Sequence, residues 1–414
     1  KAIYSRHYEI DSERFPAVVI ESDDWLCCER VASPELLDRY AAIMKSSSSG
    51  RIIGKLESVS ELEAFYQVLR SIRGKDGLSA VVTGFVTMGN PDFERIRQSG
   101  FGEYYDISPN DGFPHLWNGT GVIEKERRGI EEGIFYPGYH SLLHHTSPRV
   151  WLDLLRSSGP AAERAMQLFD IEAYSQYVHL PEFDGYTARE NFAMISIGIE
   201  RFRKTFGFTP RVAVTSDATT DIELLWSVVG IETVCLKNSR NNAGEVVVNH
   251  EKPWNAQDCY AKLGDCSNYL DVTYLTRNAY YETWLGKNGS SPDEPIAAIE
   301  KSLRVFGEPA ILSAHRINFC SYNPEYMVQR LDGFGRILRR CQELDVFFLT
   351  SGELGDLYRK GYSFRKGAGG RTLLRKWSRC EFPSLIRSGN DAESGRTVSI
   401  NENSLGNFWV ETQK

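Results

Sequence analysis

The chain has 414 residues, of which 41% are hydrophobic and 25% charged, with a formal net charge of -7. That length can bury a sizeable core without disulfide support, as one large domain or two ordinary ones. The mild acidity argues against a general nucleic-acid binder, and no apolar run of about 18 residues is present to make a transmembrane helix.

Short β-type runs alternate with helical stretches, the pattern of an α/β fold. The first strand is expected at Ala17 to Ile20, followed by a helix opened by Ser33-Pro34 and running to Met44. Next come a strand at Arg51 to Gly54, a helix from Val59 to Ile72 and a strand from Ala80 to Val86. Asn90-Pro91 starts a helix through Arg97, Gly133 to Pro137 reads as a strand, and Ser147-Pro148 starts another helix. A long helix is expected from Thr187 to Thr205. It leads into a strand at Val212 to Val214, a helix at Thr220 to Val229 and a strand at Thr233 to Leu236. Residues 244 to 284 are less regular, with alternation around Tyr269 to Tyr281 that suggests added β structure. The series closes with a helix Pro292 to Phe306, a strand Ala310 to Ser313, a helix Pro324 to Cys341, a strand Val346 to Leu349 and a helix Ser351 to Tyr358.

The count of strand-helix units fits a distorted (β/α) barrel of about seven strands with β-rich insertions. We place it over residues 1–360. Residues 361–414 read as a basic C-terminal extension with a closing strand at Phe408 to Val410. The basic run from Arg359 to Arg379 is either a solvated face or a patch for an anionic glycan or a membrane surface. The cysteines are scattered and form no CxxC pair, so most read as reduced thiols, which favours a cytoplasmic setting. A bridge between Cys259 and Cys266 would weaken that inference. So would a trimmed N-terminal signal ahead of Lys1, which would make the protein secreted.

In parallel α/β folds chemistry sits at the carboxyl ends of strands. Three such ends carry ionisable residues: Glu21-Ser22-Asp23-Asp24-Trp25, the segment from His140 through His144 to His145, and Ser313-Ala314-His315-Arg316. His140 and His144, four apart, share a face if Ser141 onward is helical or a tight turn, and can then chelate a divalent metal. Of two adjacent carboxylates, one can bind the metal while the other stays free as a general base. His315, from a distant strand end, can be the general acid. Each signal has a plainer reading: an Asp pair caps a helix, HxxxH is a chance spacing, a lone His is a core residue. Their joint placement at strand ends favours a site.

These residues carry a resemblance. The chain resembles the polysaccharide deacetylase superfamily, the metal-dependent carbohydrate esterases with a distorted (β/α) barrel. Ile20-Glu21-Ser22-Asp23-Asp24-Trp25 is similar to that family's T-F-D-D-G motif, with Trp in place of Gly. His140-Ser141-Leu142-Leu143-His144 matches H-[ST]-x-x-H, and Ala310 to His315 matches the apolar strand ending in His. The resemblance implies Asp23 as general base, Asp24, His140 and His144 as ligands of a divalent metal (zinc first), and His315 as general acid. The family's R-x-P-[PY] motif, which positions the base, has no clear counterpart: Arg211 lies before its strand, and Asp217 can be a helix cap. Trp25, Arg277, Arg316 and Asn318 are the substrate-binding candidates. The implied function is removal of N- or O-linked acetyl groups from a carbohydrate. Two alternatives stay open: a glycoside hydrolase on a related barrel, for which Glu21 and Asp23 share a strand face, and a carbohydrate-binding relative without turnover.

Overall fold

A computed structural model of the chain describes residues 4–7, 15–44, 54–144, 147–173, 182–183, 185–214, 220–236, 239–240, 246–247, 263–267, 270–282, 291–360, 389–391, 396–402 and 408–413. The main sheet is built from β1 (Tyr4–His7), β2 (Ala17–Trp25), β3 (Val82–Thr87), β4 (Phe135–Ser141), β5 (Val212–Val214), β6 (Thr233–Leu236), β7 (Asp265–Ser267), β8 (Thr273–Thr276), β9 (Ala279–Tyr280), β10 (Ala310–His315) and β11 (Phe347–Leu349). Their order is β1-β7-β8-β6-β5-β4-β3-β2-β10-β9, with β11 also paired to β2. All pairings are parallel except those of β7 with β1 and with β8.

β2 is the axis of the sheet. Its Val18, Val19 and Ile20 are fully buried, and it is hydrogen-bonded along both edges, so a continuous apolar run is what such a strand requires. The helices dock by one face each. Helix α1 (Val59–Arg70) starts at a capping box between Ser58 and Glu61 and buries Leu62, Phe65 and Leu69, an i, i+3, i+7 stripe. Helix α2 (Val122–Glu131) packs on α1 and on β4. The long helix α3 (Ala188–Phe206) has a Thr187–Glu190 capping box and ends at Gly207, whose φ of 84° is the left-handed C-cap conformation. Helix α4 (Pro324–Glu343) and helix α5 (Ser351–Lys360) follow β10 and β11.

The two ends of the parallel path meet through the chain. β8 pairs with β6 and β9 with β10, yet only Arg277 and Asn278 separate them. Three peptide units span at most about 11 Å, so the ends of the path lie that close. Asn278 pins the crossing: its Nδ2 donates to Pro309 O at 3.0 Å, and its Oδ1 accepts from Ile311 N at 2.8 Å.

Most of the α/β series of the sequence is present among the described residues, with three strands of the main sheet longer than expected. β2 runs on through Trp25, β4 through Ser141 and β10 through His315. Asn90-Pro91 does not start the helix expected there: it pairs as a short strand with Asp106-Ile107, and the helix Phe93–Gln98 is capped by Asp92. The expected helix Pro292 to Phe306 is α-helical over Asp293–Lys301 and widens to a π turn over Ser302–Phe306. The strand at Arg51 to Gly54, His145, Asp217, Cys259 and the basic run beyond Lys360 lie wholly or mostly outside the described residues. Cys27, Cys28, Cys235, Cys320 and Cys341 are buried thiols. Strands Gly389–Asp391, Arg396–Glu402 and Phe408–Gln413 form a separate antiparallel sheet, so the closing strand is present and longer than Phe408 to Val410. Among the described residues, no helix is long and apolar enough to cross a membrane.

Candidate metal centre and active site

Strand alternation places Glu21 and Asp23 on one face of β2 and would send Asp24 to the other. A register irregularity against β3 between Ser22 and Trp25, with Asp24 at φ 73°, turns Asp24 instead toward β4. Such a bulge re-aims one side chain at the end of a strand. His140 stands near the end of β4, and His144 follows on a tight turn with φ 58°, not a helix. The His144 N–H donates to Ser141 Oγ at 2.7 Å, which closes the turn. A left-handed backbone costs roughly 1 kcal/mol for a residue with a Cβ, so both positions are held by their surroundings.

These two irregularities bring three donors together. Asp24 Oδ1 lies 2.8 Å from His144 Nε2 and 3.4 Å from His140 Nε2. One donor atom from each of Asp24, His140 and His144 lies within 4.8 Å of the others. A carboxylate oxygen and two imidazole nitrogens in this compass fit a divalent cation, whose tetrahedral ligands at ~2.1 Å stand ~3.4 Å apart. Burial would raise the Asp24 carboxyl, but the neighbouring His144 and His315 and the bonds from His140 and His144 hold it well below the usual carboxylate range. Burial pushes the His140 imidazole down against the pull of Asp24, which favours the neutral form that ligates metals.

Asp23 is held by Arg277. Nη1 donates to Asp23 Oδ2 at 2.8 Å and Nη2 to Asp23 Oδ1 at 2.6 Å, while Nε donates to Glu21 Oε2 at 2.6 Å. This bidentate fork fixes the plane of the Asp23 carboxylate. Burial would lower the Arg277 guanidinium, but Asp23 and Glu21 outweigh it and keep it charged. Glu21 is further occupied by Ser351 Oγ, which donates to its Oε1 at 2.8 Å. Arg277 was expected to bind substrate. It is buried in the gap between β8 and β9 and serves the carboxylates instead.

His315 pairs in register with Asp23 across the β2–β10 ladder. Its Nε2 lies 3.5 Å from Asp23 Oδ2, and its Nδ1 lies 3.0 Å from Glu282 Oε1. Burial would lower its pKa, but Glu282, then Asp24 and Asp23, raise it above the usual imidazole value. Glu282 also accepts from Ser313 Oγ at 2.8 Å. The side chains of Asp24 and His315 are each 10% exposed, whereas Asp23 and Glu21 are at 0%, so a ligand meets Asp24 and His315 first.

Trp25 was expected to wall a sugar groove. It is fully buried, stacked on Phe65 at 5.6 Å and edge-on to Phe135, because residue 25 returns to β3 after the bulge. Arg316 is buried and paired with Glu57 at 3.0 Å and Glu29 at 3.3 Å. Glu57 in turn accepts Leu26 N at 2.8 Å, so Arg316 braces the turn after Asp24 rather than a substrate. Asn318 is buried too; it accepts from Arg330 Nη2 at 2.8 Å and donates to Tyr281 O at 3.0 Å. Arg211 stands at the amino end of β5, where it binds Asp356 and Glu232. Glu282 was missed by the sequence reading. It lies two residues past the end of β9, so the strand-end criterion applied, but the irregular region hid the strand.

A scan against protein-family models finds no match, and a search of curated proteins finds none either. Solved structures do resemble the chain. A Mycobacterium smegmatis protein described as a polysaccharide deacetylase has 11% identity and a TM-score of 0.41, over 87% of this chain and 95% of that one. The 4-alpha-glucanotransferase of Thermococcus litoralis has 9% identity and a TM-score of 0.39, over 82% of this chain and 40% of that one. A family 4 carbohydrate esterase from Streptomyces lividans, solved with acetate, has 10% identity and a TM-score of 0.34, over 80% of this chain and 90% of that one.

Proposed function

We propose that the chain is a metal-dependent deacetylase of carbohydrates, acting on N- or O-acetyl groups. One observation carries the reading: a buried Asp24–His140–His144 donor set adjoins Asp23 and His315, whose carboxylate and imidazole lie 3.5 Å apart.

Asp24, His140 and His144 would hold the metal, zinc first. A cation held there supplies Lewis acidity toward an acyl carbonyl and toward water. Asp23 is the general base. Its two oxygens face the Arg277 fork, which holds the carboxylate in place while it accepts a proton from the attacking water. His315 enters protonated, as Glu282 favours, and gives its Nε2 proton to the departing amine or alkoxide. Glu282 keeps Nδ1 bonded throughout and so fixes the ring orientation. Burial of Asp23, Glu21 and Arg277 keeps bulk water from competing for the fork.

A glycoside hydrolase would need two carboxylates with separate proton-transfer roles. Glu21 and Asp23 do share a face, but one guanidinium binds both, and Ser351 takes the other oxygen of Glu21. That arrangement favours the deacetylase. A panel of acetylated amino sugars and O-acetyl sugars, assayed with added zinc and again with a chelator, tests the reading. Acetate release that stops with the chelator is expected. Chelator-resistant cleavage of glycosidic bonds, or binding of sugar with no turnover under any metal, would overturn it. Whether residues 361–414 contact an anionic glycan or a membrane surface is a separate proposal. Its test is binding of full-length chain to anionic vesicles before and after charge removal across Arg365 to Arg379.

A further inference from the structure

The turn that carries His144 is held by a carboxylate from elsewhere in the chain. Glu182 is fully buried. Its Oε1 accepts the backbone N–H of Leu142 at 3.0 Å and that of Leu143 at 2.9 Å. The next amide, His144 N, goes to Ser141 Oγ. Successive amides at the end of β4 are thus satisfied by side chains, not by a strand ladder.

Consecutive N–H groups converging at a turn form a nest for an anion, and a carboxylate in the nest makes charge-assisted bonds. These bonds bear on a segment that departs from strand geometry, since His144 has φ 58°. A left-handed histidine persists only where its surroundings impose it. The Glu182 carboxylate is such a constraint, one residue ahead of the ligand. It also occupies the Leu142 and Leu143 amides, so these do not serve as oxyanion donors.

We infer that Glu182 is a positioning residue of the metal centre: by binding the amides of Leu142 and Leu143 it sets His144 in its ligating conformation before a cation arrives. The inference rests on the metal reading of Asp24, His140 and His144. Outer partners of this kind change metal affinity by about 10–100-fold when removed.

The experiment uses the full chain as wild type, Glu182→Ala, Glu182→Asp and Glu182→Gln. Zinc affinity is measured by competition with a chromophoric chelator, site geometry by the visible spectrum of the cobalt-loaded protein, and the turn by hydrogen exchange of Leu142 and Leu143 in zinc-free protein. Glu182→Ala should bind zinc about 10–100-fold more weakly, with an altered cobalt spectrum and faster exchange of both amides. Glu182→Asp keeps the charge but is a methylene too short to reach both amides, and should do the same. Glu182→Gln keeps an acceptor oxygen and should recover most of the affinity. Wild-type affinity and spectrum in Glu182→Ala overturn the inference; if that variant does not fold, the same result in Glu182→Asp does so. A wild-type chain that binds no zinc removes the metal reading instead. The exchange data then decide on Glu182: unchanged exchange in the variants overturns its hold on the turn.

Discussion

Asp23 and His315 face each other across one rung of the β2–β10 ladder, and each is oriented by a second ionisable group. Asp23→Asn keeps the shape and hydrogen-bonding bulk of the side chain but cannot take a proton. It should fold, bind metal, and lose on the order of 10²–10⁴ in kcat on an acetylated sugar. Near wild-type turnover would remove Asp23 from the role of base. Glu282→Gln tests the acid. His315 must be protonated to act, and Glu282 is the leading group that raises its pKa. In the wild type, kcat/KM should therefore fall as pH rises through a value above the ordinary ~6.5 of imidazole. In Glu282→Gln that alkaline limb should move to lower pH. A limb that stays in place would mean that another group sets it.

At the scale of elements, Arg277 links strand pairing to chemistry. It occupies the gap between β8 and β9 and satisfies Glu21 on one side and Asp23 on the other. Removing it leaves two carboxylates buried without their cation. Arg277→Met should destabilise the fold by about 3–5 kcal/mol, read from urea unfolding. A cost below about 1 kcal/mol would show that the carboxylates find protons or other partners. Arg277→Lys cannot reproduce the fork, and should restore part of the stability but little of the activity. The family's base-positioning arginine was sought in the segment around Arg211, before β5. The arginine that grips Asp23 is Arg277, after β8. Nothing in a linear pattern reports this, because the fork depends on a strand that leaves one neighbour and joins another within two residues.

For the whole molecule, the Asp24–His140–His144 donor set ties β2 to β4 across β3, with Asp24 and His144 in left-handed backbone and His140 within the strand. Cation binding to the folded chain alone should stabilise it. At a free zinc concentration of about 100 Kd the gain is ~2.7 kcal/mol, visible as a higher Tm that a chelator reverses. A Tm indifferent to zinc and chelator would count against a metal held by Asp24, His140 and His144. Most of the α/β series and the three polar strand ends are legible along the chain, since periodicity and strand-end polarity are local properties. His140 and His144 could be paired from their spacing, and Asp24 could be set apart from Asp23 by resemblance. Trp25, Arg316 and Asn318 were misplaced because a polar or aromatic residue beside a site motif reads the same whether it faces a groove or the core. The folded chain settles the matter, through the bulge that sends Asp24 and Trp25 to different neighbours. It also decided the partners of each ionisable group, Arg277 for Asp23, Glu282 for His315 and Glu182 for the His144 turn. Those contacts join residues up to 254 positions apart, and electrostatic pairing in a buried site is set by distance in space, not by order along the chain.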